Sequence, residues 1–202
     1  MKEEIKIAGS GGQGVLTLGV FLSRIGIVEG KKVSWLPSYG AEKRGGFSFC
    51  DVVVSDEEIY SPVIESPDTL ILFDQRAHDL YGPKAESNTL IIENSSLVTE
   101  DKIEKGTKIK IPASEMAKNM KFIKAMNIIM AGAYIANRET FKKESAYKVM
   151  GEILKKKSEE ILEKNIHAFD EGMDFVNKKT GMGGMVDNVK KWMNRKEEKK
   201  DK

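Results

Sequence analysis

Six residues near the start of the chain have the types and spacing of a phosphate-binding turn. In order they are Gly9, Ser10, Gly11, Gly12, Gln13 and Gly14, and three of the glycines reproduce the pattern G-x-G-x-x-G. Glycines let the backbone turn sharply and approach a ligand closely, and the N–H groups that begin the following helix attract anions. The pattern indicates a turn but leaves two interpretations open. The turn either binds a phosphate group or packs a strand tightly against a helix.

A second segment, residues 38–46, combines an arginine, a tyrosine and three glycines. Its candidate contact residues are Tyr39, Glu42, Arg44, Gly45 and Gly46. The segment follows an expected strand, and in an open α/β sheet the carboxyl ends of the strands form the ligand crevice. Arginine can also form a forked pair of hydrogen bonds with a phosphate or a carboxylate. The segment is therefore a candidate site for a phosphate group or a partner's surface, with an ordinary polar turn as the alternative.

A nicotinamide dinucleotide is disfavoured as the ligand of the glycine-rich turn. Such a site needs an acidic residue at the end of the second strand, where it holds the ribose hydroxyls. The expected second strand, residues 32–36, contains no acid, and Glu29 precedes it. No arginine stands in the place that would favour the phosphorylated dinucleotide.

The other reactive side chains have structural explanations. Asp74 follows an apolar strand, and we expect it to cap the N-terminus of a helix. We expect His78 to be exposed on a helical turn and His167 to have a packing or surface role. Cys50 lies in an expected strand, where a small buried apolar residue is the usual role. As the one cysteine of the chain, it cannot form an internal disulfide or hold an iron–sulfur cluster alone. We therefore expect a reducing compartment, the cytoplasm.

The strands and helices that must position these residues indicate an α/β fold. Strands are expected at residues 4–8, 32–36, 47–55, 69–73, 89–92 and 108–111, and helices at 14–28, 113–138 and 144–177. The order of strands and helices predicts a Rossmann-like, doubly wound, mainly parallel sheet with helices on both faces. Residues 1–177 are expected to form the domain, and residues 178–202 a flexible, lysine-rich tail.

Composition excludes several classes of protein. The chain has 202 residues and a net charge of +2, which suits one α/β domain and does not favour nucleic acid as a partner. Residues 186–202 carry seven basic residues, but four acids accompany them and the only aromatic residue is Trp192. No stretch approaches the run of about 18 apolar residues that a membrane helix needs.

Three motifs in combination resemble the gamma subunit of the 2-oxoacid:ferredoxin (or other acceptor) oxidoreductases. They are GGQGV at 11–15, YGAE-x-RGG at 39–46 and VVSD-x-x-I-x-x-P-x-x-x-x-PD at 53–68. The resemblance continues through Asn127 to N-x-x-AF-x-x-G at 165–172, and it covers residues 4–177. Cys50 after the second motif is more typical of the 2-oxoglutarate or branched-chain types than of the pyruvate type.

The resemblance implies a division of labour between subunits. These enzymes oxidatively decarboxylate a 2-oxoacid on thiamine diphosphate, pass the electrons through iron–sulfur clusters and release an acyl-CoA. Alpha and beta subunits would hold the thiamine diphosphate, and a ferredoxin-like delta subunit would add clusters. This chain is expected to hold neither cofactor, to have no catalytic residue of its own and to be inactive alone.

Coenzyme A would be a co-substrate of the complex, and the glycine-rich turn and the 39–46 segment are its candidate contacts in this chain. Two other functions stay open on the sequence alone. One is a stand-alone nucleotide-binding oxidoreductase, and the other is a non-catalytic nucleotide-binding scaffold.

Overall fold

A single mixed sheet organises the molecule, which is a computed structural model that describes residues 1–40 and 45–179. Its strands are β1 (Lys2–Ser10), β2 (Lys32–Tyr39), β3 (Phe47–Ser55), β4 (Thr69–Leu72), β5 (Leu90–Asn94) and β6 (Thr107–Ile111). Their order across the sheet is β2-β3-β1-β4-β5-β6. Within the described residues all six expected strands are present, and their boundaries agree with the expected ones to within three residues.

Strand β3 is the one strand of this sheet that runs against the others. It pairs antiparallel with both β1 and β2, whereas β4, β5 and β6 continue from β1 in parallel. Five strands therefore point the same way, and the predicted α/β fold with a mainly parallel sheet is confirmed. The hairpin between β2 and β3 inserts β3 beside β1, so the loop at its tip returns to the carboxyl end of β1.

Strand β2 is longer than the sequence predicts because its pairing with β3 continues to Tyr39, opposite Ser48. Tyr39 therefore ends a strand instead of lying in a loop. Pro37 lies inside β2 and has no N–H to donate, which is tolerated because β2 is an edge of the sheet.

Helices cover the two faces of the sheet unequally. They are α1 (Val15–Val28), α2 (Gln75–Tyr81), α3 (Ala113–Asn119), α4 (Met126–Asn137), α5 (Lys143–Ile153) and α6 (Glu159–Lys179), and short 3-10 turns follow α2 and precede α4. The main core joins one sheet face to α1, α3, α4, α5 and α6. A smaller core joins the other face to α2. We call this other side the second face.

The expected long helices over 113–138 and 144–177 are each divided in two, the second of them into α5 and α6. Lys121 has φ 53°, the one positive value at a non-glycine residue in the described chain, and it separates α3 from α4. Met130 is buried, and Met116, Met120 and Met126 pack against the core, as their helical spacing predicts. Gly30 has φ 76° just after α1, as expected for a glycine that ends a helix.

Helices α4 and α6 cross at two glycines with almost no space between their backbones. A Cβ atom on Gly132 would lie 2.0 Å from the Phe169 carbonyl oxygen, and one on Gly172 would lie 2.1 Å from the Ile129 carbonyl oxygen. Only glycine fits at both positions of this crossing.

No helix among the described residues is both long and apolar enough to cross a bilayer. The predicted lysine-rich tail lies outside the described residues from residue 180 onward, and it stays a prediction.

Candidate functional site

The two glycine-rich segments meet at the carboxyl end of β1. The Gly11 N–H donates a 2.7 Å hydrogen bond to the Gly46 carbonyl oxygen. A Cβ on Gly11 would lie 3.2 Å from that same oxygen, so a side chain there would press the segments apart. The hairpin between β2 and β3 thus places the second segment directly against the first.

A cavity of about 660 Å³ lies between the two segments. It has the size of a small-molecule site. Of the predicted site residues, six line it: Gly11, Gly12, Gly14, Tyr39, Gly45 and Gly46. Thr17, Phe47 and Ser48 also line the cavity and were not among the predicted residues. Glu42 and Arg44 lie outside the described residues.

Gly14 places the start of helix α1 at the edge of the cavity. It is the N-cap residue of α1 with φ 84°, and a Cβ there would lie 2.7 Å from the Asn127 amide nitrogen. Asn127 donates a 3.4 Å hydrogen bond to the Gly14 carbonyl oxygen. Asn127 therefore packs against the turn at Gly14. The sequence marks this residue only through the family resemblance.

Gln13 and Gly9 shape the turn without lining the cavity. The Gln13 side-chain oxygen accepts a 2.7 Å hydrogen bond from the Ser10 N–H, and it fills the space where a Cβ on Gly9 would lie. The Ser10 hydroxyl donates to Asp74 at 2.6 Å, and Asp74 also accepts from the Ala77 N–H at 3.0 Å. The predicted capping role of Asp74 is confirmed, and its bond to Ser10 links the turn to helix α2.

The residues that line the cavity suit the binding of a ligand better than they suit proton transfer. None of its described lining residues is ionisable near neutral pH, and the hydroxyls that line it belong to Thr17, Tyr39 and Ser48. The first turn of α1 contains no acidic residue. Its unpaired N–H groups and the positive end of the helix dipole therefore favour an anionic ligand.

His78 is buried, so the expectation that it is exposed was wrong. Its Nε2 accepts a 3.0 Å hydrogen bond from the Lys102 N–H, which leaves Nδ1 to donate to the Glu93 carboxylate at 3.1 Å. Asp101 lies nearby and pairs with Lys110 at 2.8 Å and with a second lysine. These lysines hold the pKa of Asp101 well below its usual range. The Lys110 ammonium also lies 3.4 Å from the Glu93 carboxylate, so both carboxylates of this ion-pair network already have a cationic partner.

Cys50 is fully buried in β3, as predicted. Burial raises the pKa of its thiol to about 12, so the reactive thiolate is scarce at neutral pH. His167 is exposed on α6, which agrees with the surface role expected of it.

Comparisons with known proteins agree on one family. The family described as pyruvate ferredoxin/flavodoxin oxidoreductase matches residues 4–175. The ketoisovalerate oxidoreductase subunit VorA of Methanothermobacter marburgensis is 33% identical over 174 residues, which are 86% of this chain and 36% of that protein. The chain thus spans about a third of the length of this relative.

Two solved structures have the same fold. One is a 2-oxoglutarate:ferredoxin oxidoreductase from Magnetococcus marinus with 2-oxoglutarate, coenzyme A and succinyl-CoA bound (TM-score 0.82, 27% identity, 88% of this chain and 31% of that chain). The other is the gamma subunit of a keto/oxoacid ferredoxin oxidoreductase from Geobacter sulfurreducens (TM-score 0.73, 28% identity, 86% of this chain and 98% of that chain). The resemblance seen in the sequence is confirmed.

Proposed function

Because this chain belongs to the pyruvate ferredoxin/flavodoxin oxidoreductase family, we propose that it is the gamma subunit of a 2-oxoacid:ferredoxin oxidoreductase. The complex oxidatively decarboxylates a 2-oxoacid to an acyl-CoA. The relatives favour 2-oxoglutarate or a branched-chain 2-oxoacid as the substrate, since one is a ketoisovalerate oxidoreductase subunit and one holds 2-oxoglutarate.

The contribution of this chain is to bind coenzyme A in the cavity between the two glycine-rich segments. The observation that carries this proposal is the contact of Gly11 with Gly46, which closes a cavity around the start of α1 whose described lining residues carry no charge. Coenzyme A carries a diphosphate and a further phosphate, which the N–H groups of this helix start would attract. Tyr39 is 73% exposed at the cavity and would offer its ring for stacking on the adenine.

The redox cofactors belong to the partner subunits in this proposal. Thiamine diphosphate would lie between alpha and beta subunits, and iron–sulfur clusters would lie in a ferredoxin-like delta subunit. The chain has one cysteine, which is buried in a strand, whereas a cluster needs several accessible thiolates. A free thiol with no partner for a disulfide also suits the reducing cytoplasm, where we place the complex.

Reconstitution tests the proposed function. We expect the isolated chain, supplied with a 2-oxoacid, coenzyme A and a low-potential electron acceptor, to form no acyl-CoA and to show no iron–sulfur absorption bands. Addition of the alpha, beta and delta subunits from the same organism should produce acyl-CoA formation that depends on this chain. Full turnover by the isolated chain, or by the other subunits without it, would contradict the proposal.

The coenzyme A site is tested by a pair of variants at Gly12. A Cβ at this position meets nothing within 4 Å, and asparagine and aspartate both tolerate its φ of 95° better than other residues do. In the reconstituted complex we expect Gly12→Asp to raise the KM for coenzyme A by about tenfold over Gly12→Asn, because only the aspartate repels the phosphates. The two side chains have nearly the same shape, so equal KM values for both variants would place the phosphates elsewhere.

A further inference from the structure

A second groove, of about 380 Å³, lies on the second face of the sheet, where α2 leaves the strands uncovered. Its floor is formed by Lys6 on β1 and by Phe49 and Asp51 on β3. Three walls surround this floor, from β2, from the segment after β3 and from the end of α2. They contribute Leu36, Pro37, Ser38, Val63, Ile64, Tyr81 and Lys84. We call it the second-face groove.

Apolar side chains are exposed along the open side of the second-face groove. Leu36, which is 39% exposed, and Val63, which is 56% exposed, both line the groove. Single exposed apolar residues are common on protein surfaces, but apolar residues exposed together in the lining of a groove are a feature of interaction sites. Because β2 is an edge strand, no further strand closes the groove on that side.

Of the two lysines that line the groove, Lys84 is the one that forms no ion pair with another described residue. Lys6 and Asp51 pair with each other on the floor, and Asp51 also accepts a 3.1 Å hydrogen bond from the Ile64 N–H. The Lys84 ammonium lies 5.5 Å from the centre of the Tyr81 ring. None of the ion pairs formed by the described residues includes Lys84. The groove thus offers a neutral floor, apolar walls and one available positive charge.

We propose that the second-face groove binds a segment of a partner subunit, with an apolar side chain in the groove and a carboxylate beside Lys84. The inference rests on the proposed function, which supplies the partner. In the Geobacter relative this fold makes up nearly all of a separate chain, whereas in the Magnetococcus relative it is about a third of a longer one. When this fold is a separate chain, its contacts with the remainder of the enzyme are contacts between subunits. The exposed apolar lining and the Lys84 ammonium are the features that suit the second-face groove to one of these contacts.

The groove and the coenzyme A cavity are separate sites, although they lie on the same β3 strand. Val63 and Lys84 line the groove and not the cavity, whereas Phe47 lines the cavity and not the groove. A substitution at Val63 or Lys84 therefore changes docking without removing any group that lines the cavity. This separation makes assembly and coenzyme A binding distinguishable in one set of variants.

Affinity measurements on the reconstituted complex test the groove. We expect Lys84→Glu and Val63→Asp each to weaken the binding of this chain to the other subunits by about tenfold or more, as substitutions at buried interface positions do. The matched control is Lys148→Glu, the same charge change at an exposed residue of α5, on the opposite side of the sheet. It should bind as the wild type does, and thermal melting of each isolated variant should show that all three fold.

Hydrogen exchange of the wild-type chain gives a second measurement that needs no variant. Amides of residues 60–64 and 81–84 should exchange more slowly in the complex than in the isolated chain. Wild-type affinity of both groove variants, together with unchanged exchange at these residues, would overturn the docking proposal while the proposed function stands. A wild-type chain that joins no complex would overturn both.

Discussion

Replacing Gly132 by alanine is expected to lower the free energy of unfolding by about 3 kcal/mol, at the upper end of the usual cost of overpacking a core. The added Cβ would lie 2.0 Å from the Phe169 carbonyl oxygen, far inside van der Waals contact. That oxygen belongs to the backbone of α6, so relief requires α4 and α6 to separate. The gain in helix propensity from glycine to alanine, about 1 kcal/mol, offsets only part of the loss.

The matched control for this variant is Gly19→Ala in α1. There the new Cβ would meet the Cys50 sulfur at 2.5 Å and the Trp35 ring nitrogen at 2.7 Å, which are side-chain atoms and not backbone atoms. Both substitutions bring the same gain in helix propensity. The difference between their losses in unfolding free energy therefore measures how much more rigid a backbone neighbour is than a side-chain neighbour. Urea unfolding followed by circular dichroism gives both free energies. Equal losses would show that the α4–α6 crossing adapts as easily as a side chain does.

Replacing Lys6 by methionine is expected to lower the free energy of unfolding by about 3–5 kcal/mol, the usual cost of removing one partner of a buried ion pair. The side chains of Lys6 and Asp51 are 3% and 4% exposed, and they contact each other directly. Without the ammonium group, the Ile64 N–H is the remaining donor to the Asp51 carboxylate among the residues that the structure describes. The shape of the side chain is largely retained, so the loss comes from the uncompensated charge.

A double variant separates the charge from the packing. Lys6→Met combined with Asp51→Asn leaves neither of these two positions charged, and the asparagine oxygen can still accept from the Ile64 N–H. We therefore expect the double variant to be more stable than Lys6→Met alone, and a double-mutant cycle gives the coupling between the two residues. If the losses in unfolding free energy from the two single substitutions add up to the loss in the double variant, the two side chains have no specific interaction with each other.

Local patterns in the sequence predicted most elements but not the neighbours of β3. The residues 47–55 have aromatic and β-branched side chains that indicate a strand, but such a pattern does not carry the direction of that strand. The insertion of β3 between β1 and β2 depends on pairing between distant residues, such as Lys2 with Ser55. The burial of His78 was missed for the same reason, because its partners Glu93 and Lys102 come from later parts of the chain.

The sequence predicted the lining of the cavity better than the residues that support it. Gly11 and Gly46 were singled out separately, and the hairpin brings them into contact. The supporting bonds of Ser10 with Asp74 and of Asn127 with Gly14 join residues 64 and 113 positions apart. No local pattern indicates such bonds, and a polar residue after each strand is the one signal that would have suggested Asp74 as a partner of the turn.

The bond between Gly11 and Gly46 also makes the backbone a reporter of cavity opening. An amide exchanges its hydrogen with solvent deuterium only when its hydrogen bond is broken, and this bond exists only while the two segments are in contact. The exchange rate at Gly11 therefore follows the fraction of time that the segments spend apart. A ligand held by both segments keeps them together, so one amide would register occupancy of the cavity without any label on the ligand.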